Sequence, residues 1–232
     1  MWPFRSAPVI APEKRAWVES HFAWAVANFG QDSLSAAPLI TPTRTFFKSN
    51  RAAAAETAQR VFSEVKSLLS LDSVDVSLIP QGILPEQAAR DYNSLTQVSG
   101  SFIADSKTPI ITYDPRLLDH PIVFISTMAH ELMHLKLADV VEDMPGGRAT
   151  HELATDLHCV IHGFGIFQLD AADRMGWAGY LSQDTRAFAL AVFLQLTNRP
   201  VDAALPFLSA HVGKKLRKMA AALSATPMGF SA

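Results

Sequence analysis

The sequence predicts an α+β fold, and two observations lead to this class. In the first half of the chain, short segments with alternating apolar residues, typical of strands, are interspersed with two amphipathic helical stretches. In the second half, four stretches have helical periodicity, and residues that favour helix starts or ends lie at their borders. We therefore expect one domain over residues 1–232, with a mixed strand-and-helix subregion over 1–120 and a helical subregion over 121–232.

The composition is that of a globular chain without a membrane or nucleic-acid partner. Hydrophobic residues make up 49% of the 232 positions, charged residues 18%, and the net charge is −2. Residues 1–17 contain three prolines and lack the apolar stretch of a signal peptide, and the apolar run at 187–197 is too short to span a bilayer. The single cysteine, Cys159, cannot form an internal disulfide. We expect a soluble, cytoplasmic protein whose oligomeric state the composition leaves open.

Periodicity assigns the elements of the first half. Trp17, Phe22, Val26 and Phe29 recur at helical spacing, and Gly30 is well suited to end that helix. An alanine-rich stretch further on carries its apolar residues on one side, which indicates a second amphipathic helix. Four short segments have the composition of strands, and the first of them is a turn-rich edge strand. The helices are predicted over residues 13–29 and 52–69, and the strands over 38–47, 74–79, 97–103 and 109–113, with a turn at 105–107.

Capping residues assign the four helices of the second half. Asp119 is a suitable N-cap with Pro121 in the first turn, and a Pro-Gly-Gly sequence marks the loop after this helix. Thr150 and Ser182 are N-caps for the second and third helices, and the sequence at 198–200 (NRP) ends the third. The helices are predicted over residues 120–138, 151–165, 183–196 and 206–223.

The first of these helices contains the motif H-E-x-x-H. His130 and His134 are four positions apart, so on a helix their rings differ by only ~40° and point to one place, as two zinc ligands require. Glu131 lies beside that place without facing it, in a position to take a proton from water. Three polar residues in an otherwise apolar helix are costly to bury without a purpose, so we interpret them as a metal site.

A further ligand is needed, and the next helix offers one. Glu152 follows His134 by 18 positions, enough for a loop and a returning helix, and Asp156 lies four positions beyond it on the same face. Asp156 is placed to accept the free ring N–H of a ligating histidine, a contact that holds the ring in the correct tautomer. His151, next to Glu152, is an alternative third ligand.

This pattern resembles the gluzincin branch of zinc metallopeptidases, with H-E-x-x-H followed by E-x-x-x-D. The resemblance implies a zincin-like fold in which an edge strand lies beside the active-site helix. It also implies a Zn²⁺ ion held by His130, His134 and Glu152, with Glu131 as general base and Asp156 orienting His130. The metzincin form is excluded, because that form needs a glycine and a third histidine soon after the second one.

The resemblance covers residues 109–163 and implies a hydrolase acting on a peptide or protein substrate. We expect the strand at 109–113 to offer an unpaired backbone edge to an extended peptide. The aminopeptidase members of the group carry a G-x-M-E-N segment, which has no match at 81–93, so an endopeptidase is favoured. The transition-state stabiliser of the family also has no motif match, and Tyr180 and His211 are the only candidates considered.

Other interpretations remain open. A non-catalytic zincin-fold protein with a binding or regulatory role would carry the same motif. A helix-bundle protein with two metal ions uses E-x-x-H, as in Glu131–His134, but needs a second copy, and Thr155 stands where the second histidine would follow Glu152. His158 and His162 are also four apart, and we interpret them as a half-buried polar seam.

Overall fold

The computed structural model describes residues 8–48, 53–81, 100–103, 109–176, 179–226 and 228. These residues are mostly helical and include one small sheet, so the α+β class is as predicted. In chain order the elements are α1 (Pro12–Phe29), α2 (Gln31–Ala36), α3 (Ala54–Leu68), β1 (Ser77–Pro80), β2 (Gly100–Ile103), β3 (Ile110–Tyr113), α4 (Pro121–Leu137), α5 (His151–Cys159), α6 (Gly165–Arg174), α7 (Gln183–Leu196) and α8 (Ala210–Ala225).

Contacts divide the chain into two compact units. Unit 1 combines Met1–Thr41 with Val140–Ala232, and unit 2 is Pro42–Asp139. This division does not follow the predicted border near residue 120, and the single domain over 1–232 stays a prediction. The predicted strand residues 97–99 and the turn at 105–107 lie outside the described residues.

The sheet of unit 2 has the order β1-β3-β2, with β3 parallel to β1 and antiparallel to β2. β3 pairs with a strand on each side, so the prediction that the strand at 109–113 has an unpaired backbone edge is wrong. Three consecutive buried residues, Ile111, Thr112 and Tyr113, fit this central place, since a strand inside a sheet is covered more completely than one at its border. Among the described strands, β2 is the outer one that packs against α4.

The start of α4 differs from the prediction. Residues Pro115–Asp119 form a 3-10 helix, so Asp119 is not the N-cap; that place belongs to His120. Asp114 caps the 3-10 helix instead, because its side chain accepts a hydrogen bond from the Arg116 N–H. Pro121 begins α4 as expected. The helix packs against α3, and the Tyr113 and Phe124 rings meet edge to face at 5.4 Å.

Unit 1 is a helical assembly around α7. Nearly all side chains of α7 are buried, as expected for a helix surrounded by others, and α1, α6 and α8 pack against it. The Ser182 hydroxyl accepts a hydrogen bond from the Thr185 N–H, which confirms the predicted cap, and Asn198 takes a left-handed φ of 52° after the helix end. The fourth predicted helix begins at Ala210 instead of 206, after a short 3-10 turn over Leu205–Phe207.

Between α5 and α6 the chain kinks at a π turn, Val160–Phe164, in which His162 and Gly163 have non-helical backbone angles and Gly163 has a φ of 93°. The Gly163 carbonyl accepts a hydrogen bond from the Ile40 N–H at 3.0 Å. This contact explains why the edge strand expected within 38–47 is absent: two prolines remove N–H donors there, and Ile40 is buried beside the π turn instead of pairing with a strand. α6 itself was not predicted.

Among the described residues, no helix is both long and apolar enough to cross a membrane.

Candidate metal centre

His130 and His134 lie one turn apart on α4 and direct the same ring atom at one another. Their Nε2 atoms are 3.1 Å apart, and the rings meet nearly at right angles. Two Zn–N bonds of ~2.0–2.1 Å at a tetrahedral angle place their nitrogens ~3.3 Å apart. The spacing of the pair therefore already matches one edge of a tetrahedral metal site. The predicted convergence of the two rings is confirmed.

Glu131 is buried on α4, with 4% of its surface exposed. Met128 and Leu132 on the same helix are buried as well. A carboxylate in such a setting is expensive unless it is paired or has a chemical task, because burial removes its hydration. Its place next to His130 in sequence turns it about 100° around the helix axis from that ring.

Glu152 and Asp156 lie in the first and second turns of α5, where Glu152 is half-buried and Asp156 is buried. The predicted N-cap, Thr150, does occupy the cap position, yet its hydroxyl donates to the Pro145 and Gly147 carbonyls instead of capping the helix. The described cap residue therefore makes no side-chain cap hydrogen bond, whereas Glu152 lies in the first turn of α5 as expected.

Asp156 is held by groups that the sequence analysis did not connect with it. Its Oδ2 accepts hydrogen bonds from the Tyr180 and Leu181 N–H groups at 2.8 and 3.1 Å and from the Arg186 guanidinium at 2.7 Å. Arg186 is buried as well, so burial lowers the pKa of its guanidinium while the nearby Asp156 raises it. A buried ion pair with backbone donors fixes the orientation of this carboxylate.

Gly179 makes that approach possible. It has a φ of 98°, and a Cβ atom there would lie 2.1 Å from Nη2 of Arg186. Only glycine lets the backbone before Tyr180 come so close to the ion pair without strain. The sequence G-Y-L-S-Q contains the signal for this contact, because its glycine and serine mark a tight turn leading into a capped helix.

The ligand atoms of His130, His134 and Glu152, one from each side chain, lie within 4.8 Å of one another. Two imidazoles and a carboxylate are a donor set that suits zinc. His151, the alternative to Glu152, is not part of this group of described residues.

The two candidates for a transition-state stabiliser differ in their surroundings. Tyr180 has 54% of its surface exposed, and its backbone N–H donates a hydrogen bond to Asp156. His211 lies at the start of α8, where Nε2 contacts Oδ1 of Asp173 at 2.8 Å and Nδ1 lies 3.2 Å from the Ser209 hydroxyl. His211 is thus engaged in a contact between α6 and α8, and neither residue gains a catalytic role from these contacts.

Comparison of the chain with models of protein families, with curated proteins and with solved structures gives no match. The resemblance of residues 109–163 to gluzincins therefore stays a prediction that rests on the motif alone.

Proposed function

We propose that this chain is a zinc-dependent hydrolase with a zincin-like fold, and that it cleaves peptide bonds in a peptide or protein substrate. The observation that carries the proposal is the grouping of three ligand atoms, from His130, His134 and Glu152, within 4.8 Å. The two imidazole Nε2 atoms lie at hydrogen-bonding distance, 3.1 Å apart, a spacing that is also compatible with a tetrahedral metal site. The proposed compartment is the cytoplasm, since one cysteine cannot form an internal disulfide.

Zinc in such a site would act as a Lewis acid on the substrate carbonyl and lower the pKa of water toward neutrality. In the proposed reaction Glu131 accepts a proton from water as the water oxygen attacks the carbonyl carbon. Glu131 then gives this proton to the leaving amine nitrogen as the C–N bond breaks. Because its carboxylate is buried in α4, bulk water competes little for the proton it carries.

The other interpretations are outcomes of the same test. A non-catalytic protein of this fold would bind zinc and fail to hydrolyse any peptide. A di-metal helix bundle would use Glu131 as a ligand, yet the helix that carries Glu131 packs beside a three-stranded sheet, which such a bundle lacks.

Metal analysis combined with two variants tests the proposal. We expect about one zinc per chain in protein purified without added metal, and cleavage of a peptide library. Glu131→Gln should retain the zinc and lose hydrolysis, because it removes the base and leaves the ligands; His134→Ala should lose both. Absence of any transition metal would refute the site. Loss of zinc in Glu131→Gln would make Glu131 a ligand and favour the bundle instead.

The proposed preference for internal bonds has a separate test. A matched pair of peptides, one with a free and one with an acetylated N-terminus, should be cleaved at the same internal positions at similar rates. This expectation follows from the absence of a G-x-M-E-N match at 81–93. Release of only the first residue, abolished by acetylation, would show an aminopeptidase.

A further inference from the structure

Unit 1 contains a pair of buried histidines that the proposed hydrolase site does not use. His21 on α1 and His158 on α5 are both completely buried, and His21 Nδ1 lies 3.2 Å from His158 Nε2. On its other side, His21 Nε2 lies 3.0 Å from the Pro145 carbonyl oxygen. We call His21, His158 and this carbonyl the histidine tether. It joins α1 to the loop at residues 144–150, which leads into α5.

The contacts determine where the protons are. A carbonyl only accepts, so His21 Nε2 carries a hydrogen and donates to Pro145. In a neutral ring His21 Nδ1 is then an acceptor, and His158 Nε2–H donates to it. His158 Nδ1 is consequently without a hydrogen; it is buried and has no hydrogen-bond partner among the described residues. The tether as built requires two neutral imidazoles.

The surroundings offer little to balance a positive charge. The Trp17 ring lies 4.4 Å from that of His21, and the Trp24 ring 5.5 Å from that of His158, both edge to face. The titratable group that faces the pair from the π turn is His162, which would repel a charge on His158. No carboxylate of the described residues is among the groups that shift the pKa of either ring.

We propose that the histidine tether is a proton-sensitive device that holds residues 144–150 at neutral pH and releases them on acidification. If His21 is protonated at Nδ1, its new N–H points at the Nε2–H of His158, and the two hydrogens repel one another. The alternative is that the His158 proton moves from Nε2 to Nδ1 of the same ring. In both cases a charge is buried next to further imidazoles, and opening the loop relieves it by hydration. The tether does not depend on the proposed function. Only a consequence of its release for Glu152 as a metal ligand would rest on that function.

Burial supports this reading for both rings. It lowers the pKa of His21 from 6.5 to about 4, against a smaller raising effect of the Pro145 carbonyl, and it lowers the pKa of His158 well below its ordinary value. Between about pH 6.5 and pH 4, the chain with residues 144–150 in place therefore binds fewer protons than the chain with these residues released. Its stability is complete above about pH 6.5 and is lost progressively as the pH falls toward about 4.

Hydrogen exchange of the full chain tests the proposal. Between about pH 7 and pH 5, after correction for intrinsic exchange, protection of residues 144–150 should fall on the order of tenfold. His21→Gln keeps an N–H donor for Pro145 and removes one of the two titrating rings, so its protection should fall clearly less than that of the unaltered chain over this range. The matched control is His211→Gln, which removes a largely exposed histidine and should retain the response of the unaltered chain.

Three results would overturn the tether: no pH response in the unaltered chain, the full response in His21→Gln, or its loss in His211→Gln. If His21→Gln fails to fold, NMR can instead follow the protonation of the His21 ring in the unaltered chain, and this measurement still tests the proposal. A His21 ring that protonates near pH 6.5 would contradict the proposal. His134→Ala should show the normal loop response even though it lacks a proposed ligand, which separates failure of the tether from failure of the proposed function.

Discussion

At the scale of single residues, Asp156 shows how several donors together fix one buried carboxylate. Its Oδ2 is engaged by Arg186 and by two backbone N–H groups within unit 1. Under the proposed function, its other oxygen, Oδ1, would orient a ligand histidine. An anchored carboxylate holds a ligand more firmly than a mobile one, because less rotational entropy is lost when the metal binds.

Asp156→Ala should reduce both stability and metal affinity. It leaves the buried Arg186 charge uncompensated, which we expect to lower the free energy of unfolding by about 3–5 kcal/mol. Zinc affinity should fall by about 10–100-fold without being abolished. Urea unfolding and competition with a zinc chelator measure the two effects. Glu142→Gln is the control, because its exposed pair with Arg148 is worth less than about 1 kcal/mol.

An unfolding free energy that stays unchanged in Asp156→Ala would contradict the buried pair. An unchanged zinc affinity would instead remove Asp156 from the site and reopen the question of His151.

Local spacing links the members of each of the two pairs from which the site was predicted, His130/His134 and Glu152/Asp156. Helical geometry alone brings His130 and His134 together, since they are one turn apart. Arg186 is 30 positions from Asp156, and His158 is 137 positions from His21, so no local period connects either pair. Such contacts depend on how helices pack.

At the scale of elements, the helices with clear boundary signals were predicted well and the boundaries without them were not. The prediction for α1 had the right extent, yet its buried stripe contains Val18, His21 and Ala25 beside Phe22, rotated from the predicted face. The sequence contains large aromatic residues on both sides of this helix, and periodicity cannot rank them. α6 was missed because the π turn interrupts the period of α5.

Gly163 allows that turn, and Gly163→Ala should destabilise unit 1. Its φ of 93° disfavours any Cβ, and the added atom would lie 2.1 Å from the Pro38 carbonyl oxygen. Gly176→Ala is the control, because Gly176 has a positive φ of 65° with nothing within 4 Å. We expect about 1 kcal/mol loss for Gly176→Ala from strain, and a further ~1–3 kcal/mol for Gly163→Ala from the clash. Equal losses in urea unfolding would argue against the close approach to Pro38.

At the scale of the whole molecule, a bound metal should stabilise the fold. An ion that binds only the folded chain adds about 2.7 kcal/mol when its concentration is 100 times Kd. For a chain of this size, chelation should then lower Tm by roughly 5–10 °C, as followed by circular dichroism. His134→Ala should melt at the same temperature with and without chelator. A chelator effect of equal size in both proteins would assign the stabilisation to another site.

The discontinuity of unit 1 has a consequence for synthesis on the ribosome. α1 ends at Phe29 and α7, against which it packs, begins at Gln183, which is 154 positions later in the sequence. At translation rates of ~5–20 residues per second, α7 starts to emerge ~8–30 s after α1. During that interval Val18 and Phe22, which are fully buried in the finished fold, have no native partner on α7. The apolar side chains of α1 that α7 covers in the finished fold thus stay exposed in the nascent chain until α7 emerges, whereas all residues of unit 2 have been synthesised by then.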